Sequence, residues 1–137
     1  MQNDHQMIKD LYAAAEGQTL DLSRFVSFFS EDGYVRNVPA EMEFRGSDIA
    51  MVASGMAAAF PDVHREIFSI YSMNGVVVVE LAIRGTHTGG LATPAGTLQP
   101  TGKSIDVPCC DVFHIREGKV VSFHCYNAIS IMQQQLS

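Results

Sequence analysis

The stretch from Asp106 to Asn127 constrains the fold most. Two apolar runs flank the pair Glu117-Gly118, a pattern typical of two antiparallel strands joined by a tight turn. If the loop has two residues, Arg116 lies opposite Lys119 and the pairing can be counted back from there. Because strand side chains alternate between faces, a one-residue change in the loop would turn one strand over. The predicted register therefore decides which side chains share a face.

Counting back from this turn predicts that Asp111 lies opposite His124, with Phe113 and Tyr126 on the same face. An aspartate in the middle of a strand is disfavoured, so it is either solvated or buried for a reason. A buried carboxyl group must be paired or have a raised pKa, and either condition suits a general acid or base. The alternatives are an Asp111 that is solvent-exposed or holds a structural hydrogen bond, and a His124 that is an ordinary core residue.

Composition narrows the class of protein. The chain has 137 residues, 47% of them hydrophobic and 18% charged, which predicts one domain over residues 1–137 with a sizeable core. The net charge is −6 and Lys and Arg are not clustered, so a nucleic-acid partner is not expected. No apolar run approaches the roughly 20 residues of a membrane helix. The N-terminus does not resemble a secretory signal, so we expect a cytoplasmic protein. The acidic net charge favours a neutral or weakly charged substrate or partner.

The three cysteines are too few for a disulfide framework. In the predicted register Cys110 faces Cys125, which leaves a cross-strand bond conceivable, but reduced thiols are expected in the cytosol. Cys109 and its neighbours then behave as small hydrophobic residues. The chain has neither a CxxC nor an HExxH motif, so the spacing of metal ligands is absent and we expect no metal and no cofactor.

Apolar periodicity and turn residues predict the order of elements. They are a helix at 4–16, a short helix from Asp21 to Ser30, strands at Gly33–Val38 and Glu41–Arg45, a helix at 47–60, strands at 63–73 and 76–87 joined by Asn74-Gly75, a long loop at 88–102, strands at 103–115 and 119–126, and a frayed helical turn at the C-terminus. Helices followed by a long meander predict an α+β domain. We expect a curved antiparallel sheet that forms a cone closed by the N-terminal helices, with a cavity inside.

Four more residues are candidates for a ligand pocket. Tyr12 and Phe29 lie on the predicted N-terminal helices, where core packing is the alternative explanation. His87 ends the long predicted strand beside the loop at 88–102, so it could lie at a pocket mouth or be structural. Asn37 precedes Pro39 on an early strand and could supply a polar group to the pocket.

Five short motifs, in this order along the chain, indicate a family. They are Phe60-Pro61-Asp62-Val63 after a helix, residues 84–89 (RGTHTG), residues 100–103 (PTGK), Asp111-Val112-Phe113 followed by residues 116–120 (REGKV), and a terminal segment from His124 to Gln134. Their order and spacing resemble the SnoaL-like polyketide cyclases of the nuclear transport factor 2-like superfamily. The resemblance covers roughly residues 5–136.

The resemblance implies a cone-shaped fold, a homodimer formed through the sheet, and acid/base chemistry without a cofactor on a hydrophobic carbonyl substrate. In such cyclases an aspartate takes a proton from the carbon beside a carbonyl, and the enolate closes a ring by aldol addition. Asp111 matches that aspartate. The resemblance also implies that Asn37 and His124 stabilise the enolate oxygen or return the proton, and that Tyr12 fills a pocket-facing helical position.

The chain departs from the family's pattern at two positions. Cys125 stands where an aromatic residue, often Trp, is usual, and Asn127 stands where Asp is common. The superfamily also contains isomerases, dehydratases, epoxide hydrolases and non-catalytic binding or dimerising modules, which remain alternatives. Addition of water to an epoxide or double bond would require Arg84 or Asn37 to hold a water molecule near Asp111.

Overall fold

The computed structural model describes residues 3–93 and 95–137. Its elements are α1 (Asp4–Ala13), α2 (Leu22–Ser27), β1 (Phe29–Asn37), β2 (Met42–Arg45), a 3₁₀ turn (Gly46–Ile49), α3 (Ala50–Ala59), β3 (His64–Met73), β4 (Val76–Thr86), β5 (Leu91–Thr93), β6 (Gly96–Leu98), β7 (Ser104–Arg116), β8 (Lys119–Asn127) and α4 (Ile129–Leu136). The predicted α+β architecture is confirmed.

The large sheet has six strands in the order β2-β1-β8-β7-β4-β3. Every neighbouring pair is antiparallel except β1 and β8, which run parallel. The predicted curved antiparallel sheet is present, except that this one pairing is parallel. Because β1 and β8 lie far apart in the chain, their pairing needs no tight turn, and a parallel arrangement is possible.

Helix α1 closes the inner face of the curved sheet. Its buried side chains Met7, Ile8, Leu11 and Tyr12 recur at helical spacing, and full burial of each large apolar group contributes roughly 1.5–3 kcal/mol. Gly17 follows the helix, and a Cβ atom there would lie only 1.9 Å from the carbonyl oxygen of Pro61. The chain can pass this point only with glycine. Among the described residues, no helix is long and apolar enough to cross a membrane.

Both predicted two-residue hairpin turns are present. Asn74 and Gly75 have φ angles of 51° and 80°, and Glu117 and Gly118 have φ angles of 52° and 74°. Two successive positive φ angles match the right-handed twist of the flanking strands. Arg116 pairs with Lys119 next to the second turn, as predicted from the sequence.

The predicted register fails beyond this turn because β8 contains a bulge. Ile115 still pairs with Val120, but the next pair is His114 with Ser122, so Val121 is an extra residue. Val120 and Phe123 are three positions apart and are both buried on the inner face. Regular alternation would put them on opposite faces, and the bulge brings both into the core.

The shifted register changes every pair that the sequence predicted beyond Val121. Asp111 lies opposite Cys125 instead of His124, and Cys110 lies opposite Tyr126 instead of Cys125. Cys109 lies opposite Asn127. The predicted Asp111–His124 pair and the conceivable Cys110–Cys125 bond are therefore both wrong.

Two segments contain more regular structure than predicted. The segment at 88–102 contains the small hairpin of β5 and β6, and residue 94 lies outside the described residues. The C-terminal segment forms α4 instead of a frayed turn. The side chain of Gln135 accepts from the backbone N–H of Asp106 and donates to its carbonyl oxygen, both at 2.9 Å. These bonds attach α4 to the edge of β7.

Candidate active site

Asp111 is the central acid of the inner sheet face. It lies in the middle of β7, its exposed fraction is 2%, and its neighbours in the sheet are Val79 and Cys125. The hydroxyl of Tyr12 on α1 donates a hydrogen bond to Asp111 Oδ2 at 2.7 Å. The thiol of Cys109 donates to Oδ1 at 3.3 Å. A carboxyl group with these two donors has no need of a charged partner in direct contact.

Burial determines the proton affinity of this group. Loss of hydration raises the pKa of Asp111, while hydrogen bonds from Tyr12, Cys109 and Cys125 and the positive charge of Arg65 oppose that rise. The pKa of the Tyr12 phenol is also raised, first by burial and then by the charge of Asp111. The phenol therefore keeps its proton and remains a donor to the carboxylate. An acid with a raised pKa suits proton transfer near neutral pH.

Polar side chains connect Asp111 to the half-buried end of the sheet. The sulfur atoms of Cys109 and Cys125 are 3.6 Å apart, and Asn127 Nδ2 lies 3.4 Å from Cys125 Sγ. The same amide nitrogen donates to Asn37 Oδ1 at 3.1 Å. Cys125, Asn127 and Asn37 are all half-buried. The predicted pocket residues Tyr12 and Asn37 thus belong to one polar chain with Asp111.

Arg65 supplies the positive charge that acts on Asp111. Its guanidinium donates to the carbonyl oxygen of Ala15 at 3.0 Å and lies 3.5 Å from the carboxylate of Glu16. The backbone N–H of Arg65 is also bound by Glu16, at 3.0 Å to each carboxylate oxygen. These contacts fix the end of α1 against β3, which positions Tyr12 above the sheet.

The structure separates His124 and Tyr126 from Asp111. His124 lies opposite Val112 on the outer face of the sheet, where its Nε2 is 3.0 Å from the hydroxyl of Tyr34. Tyr126 is also on the outer face and is about half exposed. The prediction that both residues share the face of Asp111 is wrong, because the bulge at Val121 reverses the second half of β8.

The other predicted site residues are buried. Phe113 packs its ring edge-on against Tyr12 at 6.0 Å between centroids, so it forms a wall beside Asp111. Phe29 packs against Phe25 in the main core. His87 is fully buried against Phe60, and its Nδ1 accepts from the backbone N–H of Thr101 at 3.1 Å. A substrate-binding role for these three residues stays a prediction.

Four residues of the site were not singled out as such from the sequence. They are Arg65, Cys109, Cys125 and Asn127. The signal for one of them was present, since Cys109 is two residues before Asp111 and must share its face. Cys125 and Asn127 could be identified only with the register of β8. Arg65 joins the site through α1, a contact that no local pattern reveals.

Two open grooves lie among the described residues. One, of about 450 Å³, is lined by Phe68 and Tyr126 of the outer face and also by Cys109 and Asn127 of the polar chain. The other, of about 240 Å³, is lined by Asp62, Arg84 and Asp106 among others. Asp111 itself lines neither groove. The larger groove therefore opens onto the half-buried end of the polar chain that leads to Asp111.

Comparison with solved structures identifies the fold. A proposed SnoaL-like polyketide cyclase from Jannaschia sp. CCS1 superposes with a TM-score of 0.83 at 15% identity, over 97% of this chain and 90% of that one. IdmH, a proposed polyketide cyclase from Streptomyces antibioticus, gives 0.80 at 20% identity, over 98% and 99%. A hypothetical protein from Catenulispora acidiphila DSM 44928 with a ketosteroid isomerase-like fold gives 0.78 at 19%, over 95% and 91%.

Sequence comparison identifies the family. The sequence has no significant match among curated proteins. The profile of the SnoaL-like polyketide cyclases matches residues 6–135, which is nearly the whole chain. The chain therefore belongs to the SnoaL-like polyketide cyclase family.

Proposed function

We propose that this protein is a cofactor-independent polyketide (ester) cyclase-like enzyme in which Asp111 is the general base. The observation that carries the proposal is the buried carboxylate on the inner face, whose pKa is raised by burial and whose Oδ2 accepts from Tyr12 at 2.7 Å. His124 has no part in this mechanism because it lies on the outer face. Tyr12 takes its place as the residue that orients the acid.

The proposed reaction begins with proton abstraction beside a carbonyl. Since Tyr12 occupies Oδ2, Oδ1 of Asp111 receives the proton, and the electron pair of the broken C–H bond moves into the enolate. The enolate carbon then attacks a second carbonyl of the same molecule and forms the ring C–C bond. The alkoxide that results takes back one proton, so no oxidant or reductant is needed.

Amide groups at the half-buried end of the site can stabilise the enolate oxygen. Asn127 Nδ2 donates to both Asn37 Oδ1 and Cys125 Sγ, so the donor that we propose for the enolate oxygen is the amide nitrogen of Asn37, whose side chain Asn127 holds at 3.1 Å. A fixed donor aimed at developing negative charge is typically the largest contribution to such catalysis. The substrate we propose is a hydrophobic carbonyl compound, because Phe113 and Val79 beside Asp111 offer apolar walls.

Replacement of the base tests this proposal. We expect Asp111→Asn to keep the fold and to lower the rate of proton abstraction by about 10²–10⁴-fold, the usual contribution of a positioned base. The probe is a poly-β-keto ester in deuterated water. Loss of its α-protons is followed by NMR and ring closure by mass spectrometry, in the presence of a chelator.

A matched control lies on the same strand. Asp106→Asn removes an exposed carboxylate of β7 that pairs with Arg84 at 3.2 Å, and we expect near wild-type exchange. Full activity of Asp111→Asn would contradict the role of Asp111 as base. Equal loss in both variants would show an effect of net charge alone.

An isomerase is the second candidate, and the Tyr12–Asp111 contact favours it. A carboxylic acid kept neutral by its surroundings can donate a hydrogen bond, so Tyr12 and a protonated Asp111 could together bind an enolate oxygen. The two functions differ in pH dependence. A base must be ionised, so activity rises with pH through the pKa of Asp111, whereas a donor must be protonated and activity falls.

The remaining alternatives make different demands. Water addition, as in a dehydratase or epoxide hydrolase, would depend on Asn37, because Arg84 pairs with Asp106 on the outer face. If the protein is a non-catalytic binding or dimerising module, it has no turnover, and Asp111→Asn has no rate to lower. Substrate binding with no proton exchange in the wild-type protein would support that alternative.

We also propose that the outer sheet face binds a second copy of the chain. Large apolar side chains are exposed there: Phe68 by 61%, Tyr71 by 56%, Met73 by 74% and Tyr126 by 47%. Soluble monomers seldom expose contiguous apolar patches of this kind. A two-fold symmetric dimer would bury the same patch on both copies.

A further inference from the structure

Cys109 and Cys125, whose thiols have no role in the proposed acid/base steps, form a cluster with Asp111. The cysteines come from neighbouring strands, and the shift at Val121 brings them to the same face. Their sulfur atoms and one carboxylate oxygen of Asp111 all lie within 4.8 Å of one another. Buried thiols beside a carboxylate are an unusual combination for a site that needs only a base.

The spacing of these atoms matches a tetrahedral metal site. Zn–S bonds of about 2.3 Å and a Zn–O bond of about 2.0 Å place two sulfur ligands about 3.8 Å apart and a sulfur and an oxygen about 3.5 Å apart. The observed Sγ–Sγ separation of Cys109 and Cys125 is 3.6 Å, and Cys109 Sγ lies 3.3 Å from Asp111 Oδ1. The three ligand atoms thus need only small movements to bind one ion.

We propose that Cys109, Cys125 and Asp111 Oδ1 form a binding site for a thiophilic divalent cation such as Zn²⁺. Two thiolates and one carboxylate occupy three positions of a tetrahedron, and the fourth is left for water. Binding releases the protons of both thiols to solvent.

The residues around the cluster fit this role. Tyr12 donates to Asp111 Oδ2 and so leaves Oδ1 for the ion, the kind of outer contact that orients metal ligands. Asn127 Nδ2 lies 3.4 Å from Cys125 Sγ and can donate to a thiolate there. The positive charge of Arg65 offsets the net negative charge of two thiolates, one carboxylate and a divalent ion.

An ion can reach the cluster from the half-buried side. Cys125 is only partly buried, whereas Cys109 is buried. The ion and a proton from substrate would compete for Asp111 Oδ1. A metal-loaded protein is therefore expected to be inactive as a general-base enzyme, which makes the cation a regulator of the site.

Metal binding is measured on the reduced full chain without substrate, so its result is independent of the proposed cyclase activity. Cd²⁺ is titrated anaerobically with a phosphine reductant, and the thiolate-to-cadmium charge-transfer band is followed. We expect one ion per chain, displacement of Cd²⁺ by Zn²⁺, and tetrahedral d–d bands with Co²⁺. Absence of the charge-transfer band would overturn the proposal. Formation of a disulfide between Cys109 and Cys125 in place of Cd²⁺ binding would overturn it as well.

Variants locate the site. Cys125→Ser and Cys109→Ser should each weaken Cd²⁺ binding by at least about 100-fold, and Tyr12→Phe by about 10–100-fold as an outer-shell residue. Cys110→Ser is the matched control, because Cys110 lies opposite Tyr126 on the outer face, and its affinity should stay unchanged. If Cys109→Ser fails to fold, the Cd²⁺ affinity of Cys125→Ser, at the half-buried position, decides whether the thiols bind the ion. A band lost in Cys110→Ser and kept in Cys125→Ser would place the ion elsewhere and refute the site.

Discussion

At the scale of residues, Asp111 is defined by its contacts. A carboxyl group at the centre of a sheet face is destabilising when ionised, and the donors Tyr12 and Cys109 reduce that cost without removing it. In the proposed mechanism this balance keeps the acid available for proton transfer. Oδ1 accepts from the thiol of Cys109, at the place where we propose that an ion binds.

The raised pKa of Asp111 has a consequence for stability. The folded state binds this proton more tightly than the unfolded chain, so the favourable contribution is fully present below the unfolded pKa and is lost as pH rises through the folded pKa. Asparagine stays neutral and can still accept from Tyr12. We therefore expect the free energy of unfolding of Asp111→Asn, relative to wild type, to increase as pH rises from acid to neutral.

Urea unfolding of both proteins across this pH range measures the effect. Asp106→Asn corrects for the loss of one negative charge, since Asp106 is exposed on the same strand. A difference between Asp111→Asn and wild type that does not change with pH would show that burial leaves the proton affinity of Asp111 unaltered.

At the scale of elements, the bulge in β8 determines the composition of the site. It lets Val120 and Phe123 both enter the core, and it turns Cys125 and Asn127 toward Asp111 while His124 turns away. The bulge also coincides with an irregularity in the pairing of β1 with β8. Because of this one extra residue, Cys125 and not His124 lies opposite Asp111.

Deletion of Val121 and Ser122 together tests this explanation. Phe123 would then directly follow Val120, so regular pairing from the turn would expose one of them whenever the other stays buried. We expect the deletion to lower the free energy of unfolding by about 3 kcal/mol or more, since at least one large side chain leaves the core. Urea unfolding measures the loss.

The control for this deletion keeps the bulge. Val121→Ala retains the residue count, and at this half-buried position we expect a cost of about 1 kcal/mol. Equal stability of the deletion variant and the wild type would contradict the proposed reason for the bulge.

At the scale of the whole molecule, the two faces of the sheet differ in composition. The inner face carries the core and the acid, and the outer face carries exposed aromatic side chains. Arg84 lies over the ring of Phe68 at 5.8 Å from its centroid, on the same outer side. We propose that the outer face forms the contact between copies of the chain.

A charge on the outer face should separate these copies. We expect wild-type protein to sediment as a dimer and Phe68→Glu to sediment as a monomer at the same concentration, because the substitution would bury an unpaired carboxylate at the interface. Phe68 is 61% exposed, so the fold should tolerate the change. Leu20→Glu is the control: Leu20 is 40% exposed but lies outside the sheet, between α1 and α2. A wild-type protein that sediments as a monomer would refute the interface.

The elements and the geometry of the two tight turns could be predicted from the amino-acid sequence. Apolar periodicity predicted α1, and Asn74-Gly75 and Glu117-Gly118 predicted turns that the structure confirms, because these signals act within a few residues. The position of Asp111 in the middle of a strand is also a local signal, and it indicated a residue with a special role.

The residues that surround Asp111 depend instead on contacts between segments far apart in the chain. Tyr12 reaches Asp111 across 99 positions of the chain, and the parallel pairing of β1 with β8 brings Asn37 to Asn127. The bulge at Val121 arises because two apolar residues at odd spacing must pack into one core. Packing against distant elements sets such a register, so the pairing of Asp111 with Cys125 could not be counted from the turn alone.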